Sequence, residues 1–242
     1  MNVIEANGLG LKFKVRKRRK RYVQDAALSL VRRYGQESGS FWALRDVGFG
    51  VAKGETLGVI GRNGSGKTTL LRVIGGIYTP DEGRIDVRGR VSTLLSTTAG
   101  FQPELSGTEN VFLNGILMGF SKKEVQGLYD KIVDFAELGD FMNMPVKTYS
   151  AGMYARLGFA IAINVKEDIL LVDEVLGVGD AKFSEKARAA MDRVLTEGRT
   201  IILVSHQMDT IRRFATRVLW LDKGKVMAEG PTEDVITQYL SA

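Results

Sequence analysis

Residues 61–69 read GRNGSGKTT, directly after the apolar run TLGVI (56–60) and directly before the helical pattern LLRVI (70–74). In a strand-to-helix turn, the pattern G-x-x-x-x-G-K-[ST] is a phosphate-binding loop. Gly64 and Gly66 allow the backbone to curl until its N–H groups face phosphate oxygens, and the N-terminus of the following helix adds positive potential. Lys67 supplies a point charge for the β- and γ-phosphates, and Thr68 offers a hydroxyl to Mg²⁺. Gly61, Arg62, Asn63, Ser65 and Thr69 complete the candidate cradle. The competing reading is a glycine-rich turn that holds no nucleotide, and the flanking strand and helix argue against it.

A second stretch, ILLVDE (169–174), is a buried-strand run that ends in two carboxylates. Beside a phosphate loop, an acid at the end of a neighbouring strand supplies counter-charge to a Mg²⁺ water shell, and Asp173 is the candidate. Glu174 can polarise an attacking water as a general base. Without the lysine loop the same two acids would read as surface charge. His206, the one histidine, ends the strand-like TIILVS, and strand ends of an open α/β sheet are where ligands gather. Its position fits a contact to a γ-phosphate or to an attacking water, and equally a structural role. YSAGM (149–153) starts an apolar helix from a small polar loop. Its free N–H groups and helix dipole make an anion site, and the same geometry serves an ordinary N-cap by Ser150.

The elements that must position these residues follow from periodicity. TLGVI, ILLV (169–172), TIILVS (200–205) and VLWL (218–221) alternate with helical patterns, which predicts an α/β core with parallel strands. RIDVRGRVSTLL (84–95) and LWLDKGKVMAEG (219–230) read as edge hairpins. Between 97 and 165 the strand signal stops. There Ser106 with Glu109 and Ser121 with Glu124 form S-x-x-E capping boxes, and Val125, Leu128, Ile132 and Phe135 make one helix face. The expected organisation is a single domain over 1–242: an N-terminal strand plus a basic and amphipathic insertion in 1–40, a core with its β subdomain in 41–96 and 166–242, and an inserted helical subdomain in 97–165.

Composition limits the remaining classes. The chain of 242 residues is 44% hydrophobic and 26% charged, as folded domains are, and it has no cysteine, which removes disulfide and thiolate chemistry. The opening residues MNVIEANGLGL lack a basic-then-apolar pattern, so no secretory leader is expected within them, and NVFLNGILMGFS (110–121) is too short to span a bilayer. The net charge of +6 is local: KFKVRKRRKR (12–21) carries eight basic residues and no acid, leaving −2 elsewhere. That run fits lipid headgroups, nucleic acid or a solvated loop. The following YVQDAALSLVRRY (22–34) spaces Val23, Ala26, Leu30 and Tyr34 as one side of a helix, suited to a membrane surface, a partner or its own domain.

With GRNGSGKTT, YSAGM, ILLVDE and VSHQM in this order, the chain resembles the nucleotide-binding subunit of an ATP-binding cassette (ABC) transporter. The resemblance implies a P-loop NTPase core of the ABC type with an antiparallel β subdomain and an inserted helical subdomain, and ATP and Mg²⁺ as ligands. It implies that Ser150 and Gly152 bind the γ-phosphate of ATP held by a second copy, in a homodimer that sandwiches two nucleotides. Asp180, in DEVLGVGD, stands at a position that contacts across that dimer, and His206 matches the family's switch histidine. The family's usual glutamine position falls near Ser96 and Thr97, with Gln102 several residues later. Phe13, Tyr22, Phe41 and Trp42 all lie near the place of the adenine-stacking aromatic.

FWALRDVGF (41–49), GFQPELSGTENVFLNG (100–115), YSAGMYARLGFA and DEVLGVGD are similar to ATPases of bacterial exporters of O-antigen, capsule or teichoic acid. That likeness implies a separate membrane permease as partner, a peripheral place on the cytoplasmic face of the cell membrane, and an anionic membrane surface as a fitting contact for the basic run. Some members carry a further carbohydrate-binding domain, and none is expected within residues 1–242. The alternatives are an ABC ATPase subunit for another cargo and a soluble ABC ATPase acting on nucleic acid. The single P-loop counts against the nucleic-acid reading, since such proteins usually fuse two cassettes.

Overall fold

The computed structural model of the protein describes residues 1–14, 40–93, 100–165, 167–173 and 180–242. The amphipathic helix expected over 22–34, and all of the basic run beyond Lys14, lie outside them; so do Tyr22, Ser96, Thr97 and Glu174. Among the described residues no helix is long and apolar enough to cross a membrane.

The central layer is a sheet with strand order β5-β6-β7-β3-β8-β9. Its strands are β3 (Thr56–Ile60), β5 (Val91–Thr93), β6 (Ile169–Asp173), β7 (Thr200–Val204), β8 (Arg217–Asp222) and β9 (Lys225–Pro231). The first five run parallel, and β9 returns antiparallel to β8 through the turn at Asp222–Lys225. The apolar runs sit at the centre because both faces are covered, which removes the need for polar alternation. Leu170, Val172, Ile201 and Leu203 point into a core shared with α5 (Ala181–Thr196), α6 (Met208–Phe214) and α7 (Thr232–Leu240). Their neighbours Ile169, Leu171, Ile202 and Val204 point the other way, into a core shared with α1 (Lys67–Ile74) and a three-stranded antiparallel sheet.

That second sheet has the order β2-β1-β4, from β1 (Asn2–Lys14), β2 (Ser40–Ala52) and β4 (Glu82–Val87). The hairpin expected over 84–95 is not formed. β4 pairs with β1 (Ile4 opposite Val87), whereas β5 pairs in parallel with β6 (Val91 opposite Ile169). Asp168 causes the divergence: its carboxylate accepts the Arg90 N–H at 2.8 Å, and the Arg90 carbonyl accepts the N–H groups of Asp168 at 3.1 Å and Ile169 at 3.0 Å. The chain is thereby carried from one sheet to the other at the Arg88–Arg90 turn. The expected β8–β9 hairpin is present.

Helices α2 (Gly107–Leu117), α3 (Lys122–Ala136) and α4 (Ala151–Asn164) pack round a core of their own that includes Val111, Val125, Ile132 and Leu157. Both capping boxes form. Ser106 Oγ accepts from Glu109 N at 3.2 Å while the Glu109 carboxylate accepts from Ser106 N at 2.8 Å, and Ser121 with Glu124 repeats the exchange at 3.2 and 2.7 Å. The Ser121 N–H and hydroxyl, with Arg90 behind them, hold the Glu124 carboxyl down at about 2. Arg90, 3.1 Å from Glu124, also ties this helical layer to the turn before β5.

Candidate functional site

β3 is buried along its whole length and aims its C-terminal end at the loop 61–66. All three glycines there, Gly61, Gly64 and Gly66, have positive φ, and a Cβ on Gly61 would stand 2.1 Å from the Leu221 carbonyl oxygen. Gly66 has φ +111°, and a Cβ on it would stand 2.8 Å from the Ala43 carbonyl oxygen; Gly64 has φ +81° and faces open space. The β8–β9 turn supports the loop from behind, with Gly224 N donating to the Ser65 carbonyl at 2.8 Å. Helix α1 begins with Gly66 as its N-cap, without a side-chain cap and without an acid in its first turn. Its first N–H groups and dipole are therefore directed at the loop's concave side.

Lys67 is 7% exposed, and its ammonium donates to the carbonyls of Gly61 at 2.7 Å and Arg62 at 3.1 Å, across the mouth of the loop. The Thr68 hydroxyl donates to Asp173 Oδ2 at 3.0 Å. His206 follows the end of β7 and lines the same cleft. The cleft encloses about 730 Å³ between Asn63–Thr69, Asp173 and His206 at one end and Phe13, Phe41 and Trp42 at the other. Of those aromatics, Trp42 carries the Lys12 ammonium over its ring at 3.9 Å, and Phe13 packs edge-on against Tyr78 at 5.5 Å. Phe41 is 54% exposed and offers the most open ring. Ser65 Oγ is buried and has no hydrogen-bond partner among the described residues. A cradle of N–H groups, a lysine, an unused hydroxyl and a hydroxyl–carboxylate pair is a donor set for a polyphosphate with a divalent cation.

The residues around YSAGM form a different cleft. It encloses about 690 Å³ between Ser150, Gly152, Met153, Arg156, Asp180 and the segment Glu137–Phe141, and it shares no lining residue with the first. Ser150 is the N-cap of α4, its Oγ accepting from Met153 N at 3.2 Å. Asp180 is the N-cap of α5: Oδ1 accepts from Phe183 N at 2.9 Å, and Oδ2 is paired with Arg156. The Phe183 N–H first, and the Arg156 guanidinium after it, hold the Asp180 carboxyl below its usual range.

The loop residues Asn63–Thr69 are thus gathered with Asp173 and His206, and Gly61 and Arg62 join them through Lys67. Ser150, Gly152 and Asp180 stand apart from them, and Glu174 lies outside the described residues. Gln102 is exposed, its backbone bracketed by Asn110, which accepts from Gln102 N at 2.7 Å and donates to Gln102 O at 3.1 Å. Sequence reasoning missed Arg156 and Lys223. The signal for Arg156 was available, as it is the one charged residue in AGMYARLGFAIAIN. Lys223, which lines the first cleft, was hidden in a segment read only as a hairpin turn.

The ABC transporter family profile matches residues 44–177, which holds the loop, Asp173 and the start of α4. The chain belongs to the ABC transporter family. Among relatives within that family, it is 46% identical over 211 residues to the O-antigen export system ATP-binding protein RfbB of Myxococcus xanthus, covering 87% of this chain and 48% of that protein. It is 44% identical over 205 residues to the teichoic acids export ATP-binding protein TagH of Bacillus cereus, covering 84% of this chain and 37% of that protein. The chain therefore spans about half the length of these relatives or less. Its fold matches the ATP-binding cassette MJ0796, solved as a dimer in a post-hydrolysis state bound to ADP and Pi. The TM-score is 0.69 at 23% identity, over 95% of this chain and 98% of that one.

Proposed function

We propose that the chain is the ATP-binding and ATP-hydrolysing subunit of an exporter for a lipid-linked polysaccharide or a teichoic-acid-like polymer, working as a homodimer on a separate membrane permease at the cytoplasmic face. The observation that carries this reading is the separation of the two clefts. One holds a complete phosphate cradle, and the other presents a helix N-terminus to empty space; a second copy turned against the first would bring them together. The names of the relatives support the cargo class. Residues 1–242 act as one nucleotide-binding unit, with 97–165 as the helical part that meets the permease.

In that dimer, the N–H groups of the loop and the Lys67 ammonium bind the β- and γ-phosphates of ATP, and Asn63–Thr69 orient them. Thr68 and Asp173 are the residues that would hold Mg²⁺, which supplies positive charge against the phosphate oxygens when bound. Glu174 accepts a proton from water as the water oxygen bonds to the γ-phosphorus and the bond to the bridging oxygen breaks, releasing ADP. His206 holds the γ-phosphate end in line. Ser150 and the N-terminus of α4, with Gly152 allowing close approach, bind the same γ-phosphate from the other copy. Loss of that phosphate removes the bridge between copies and reopens the dimer.

Size-exclusion chromatography of Glu174→Gln with ATP and Mg²⁺ tests this. The expected result is a stable dimer that retains ATP with turnover abolished. Hydrolysis at the wild-type rate by that variant contradicts the assignment.

A further inference from the structure

Arg156 is the one charged residue on α4, about two turns of helix after Ser150. It lines the same cleft as Ser150, Gly152 and Asp180. The side chain is 17% exposed and is held by the first turn of α5 in two ways. Its guanidinium pairs with Asp180 Oδ2 and lies 4.9 Å from the centre of the Phe183 ring. Asp180 is itself fixed, because its other oxygen caps α5 through Phe183 N. Farther along α5, Lys186 donates to Glu137 Oε1 at 2.6 Å and to the Phe135 carbonyl at 3.0 Å, at the end of α3. Helix α5 also packs on both helices through Phe183, whose ring meets Phe159 of α4 at 6.3 Å and Phe135 of α3 at 5.7 Å; of the two polar ties, the Arg156 pair is the one that joins α5 to the first half of α4, nearest Ser150.

We propose that Arg156 is a positioning residue: through Asp180 and Phe183 it fixes the phosphate-binding end of α4 to the start of α5, and so sets where Ser150 and Gly152 present their N–H groups to the nucleotide of the other copy. The inference rests on the ATPase reading given above. A bidentate-capable guanidinium between an N-cap carboxylate and an aromatic face resists rotation better than a lysine at the same place. An N-terminus displaced by about 1 Å loses much of its hold on a transition state, of the order of a hundredfold in rate. Arg156 touches no nucleotide in this account and acts only through the placement of α4.

The test uses the full chain and five variants: Arg156→Met, Arg156→Lys, Asp180→Asn, the double Arg156→Met/Asp180→Asn, and Ser150→Ala as the reference for loss of the α4 phosphate site. Asparagine caps a helix as well as aspartate does, so Asp180→Asn removes the ion pair while leaving the start of α5 intact. Three quantities are read: kcat for ATP, the affinity of the dilute protein for a fluorescent ATP analogue, and the unfolding midpoint. The expected result is that Arg156→Met and Asp180→Asn each lower kcat about ten- to a hundredfold with affinity within about twofold. The double variant falls no further than the worse single one, and Arg156→Lys lies between wild type and Arg156→Met. Multiplicative losses in the double variant, or losses of kcat that follow the unfolding midpoint, overturn the inference. Full kcat in Arg156→Met while Ser150→Ala is impaired overturns it alone; wild-type protein that hydrolyses no ATP overturns the ATPase reading and the inference with it.

Discussion

The Thr68 hydroxyl donates to Asp173 Oδ2 at 3.0 Å, joining the first turn of α1 to the end of β6 across the intervening strand β7. The contact brings a hydroxyl and a carboxylate to one point where an oxygen-seeking cation can be held against a polyphosphate.

Asp173→Asn retains an acceptor for Thr68 and removes only the charge. ATP affinity measured with Mg²⁺ is expected to fall about tenfold or more, while affinity measured in EDTA stays within about twofold. Isothermal titration in the two buffers checks this. An equal loss in both would mean that Asp173 acts by holding Thr68 and the loop in place rather than by holding the cation.

Lys67 and Gly66 separate charge from conformation. Lys67→Met is expected to lower ATP affinity about a hundredfold, because the one buried ammonium among the described residues of the cleft is lost. Gly66→Ala forces a Cβ into a left-handed position against the Ala43 carbonyl, and is expected to cost about 1–3 kcal/mol of stability as well as binding. Thermal unfolding of the ligand-free variants distinguishes the two.

The open ring of Phe41 is the best placed to stack on a base. Phe41→Ala is expected to weaken ATP by about 1–3 kcal/mol and to leave inorganic triphosphate unchanged. Trp42→Ala, whose ring already carries Lys12, is expected to change the ratio of the two affinities less.

Much of this architecture was legible in the residues because the signals were local. The capping boxes at Ser106 and Ser121 and the loop at 61–69 are complete within a few positions. TLGVI, ILLV, TIILVS and VLWL announce both-face burial by lacking alternation. What was misread depends on contacts distant in sequence. Arg88-Gly89-Arg90 has the composition of a hairpin turn, and only Asp168, brought in by β6, sends β5 into the other sheet. The Arg156–Asp180 pairing escaped for the same reason: Asp180 was singled out and the lone charge of Arg156 was visible, but nothing local joins the two until α4 and α5 are laid side by side.

Glu167 gives a prediction in pH. Its side chain is 1% exposed at the return from α4 to β6, and Oε2 has no hydrogen-bond partner among the described residues. Burial pushes its carboxyl up from 4.5 to about 7, against the opposing pull of Arg199, which stands 3.3 Å away and is shared with Glu197 at 2.7 Å. A carboxyl raised in the folded state stabilises most below 4.5, and that contribution is lost as pH rises through about 7. Glu167→Gln is expected to flatten the fall in unfolding free energy between about pH 5 and 8, measured by urea denaturation at each pH. Unchanged pH dependence in that variant would mean that the carboxylate is ionised throughout.

The central claim is that each chain holds two partial faces of a nucleotide site, Lys67 and Asp173 on one and Ser150 and Gly152 on the other, that work only when two chains meet. The most direct measurement is ATPase activity per chain against protein concentration, with sedimentation on the same samples. The account predicts that activity per chain rises with the dimer fraction, vanishes on dilution to monomer, and is lost at every concentration when Ser150 and Gly152 are replaced. Constant activity per chain in samples that sediment as monomer, with Ser150 and Gly152 dispensable, would contradict it.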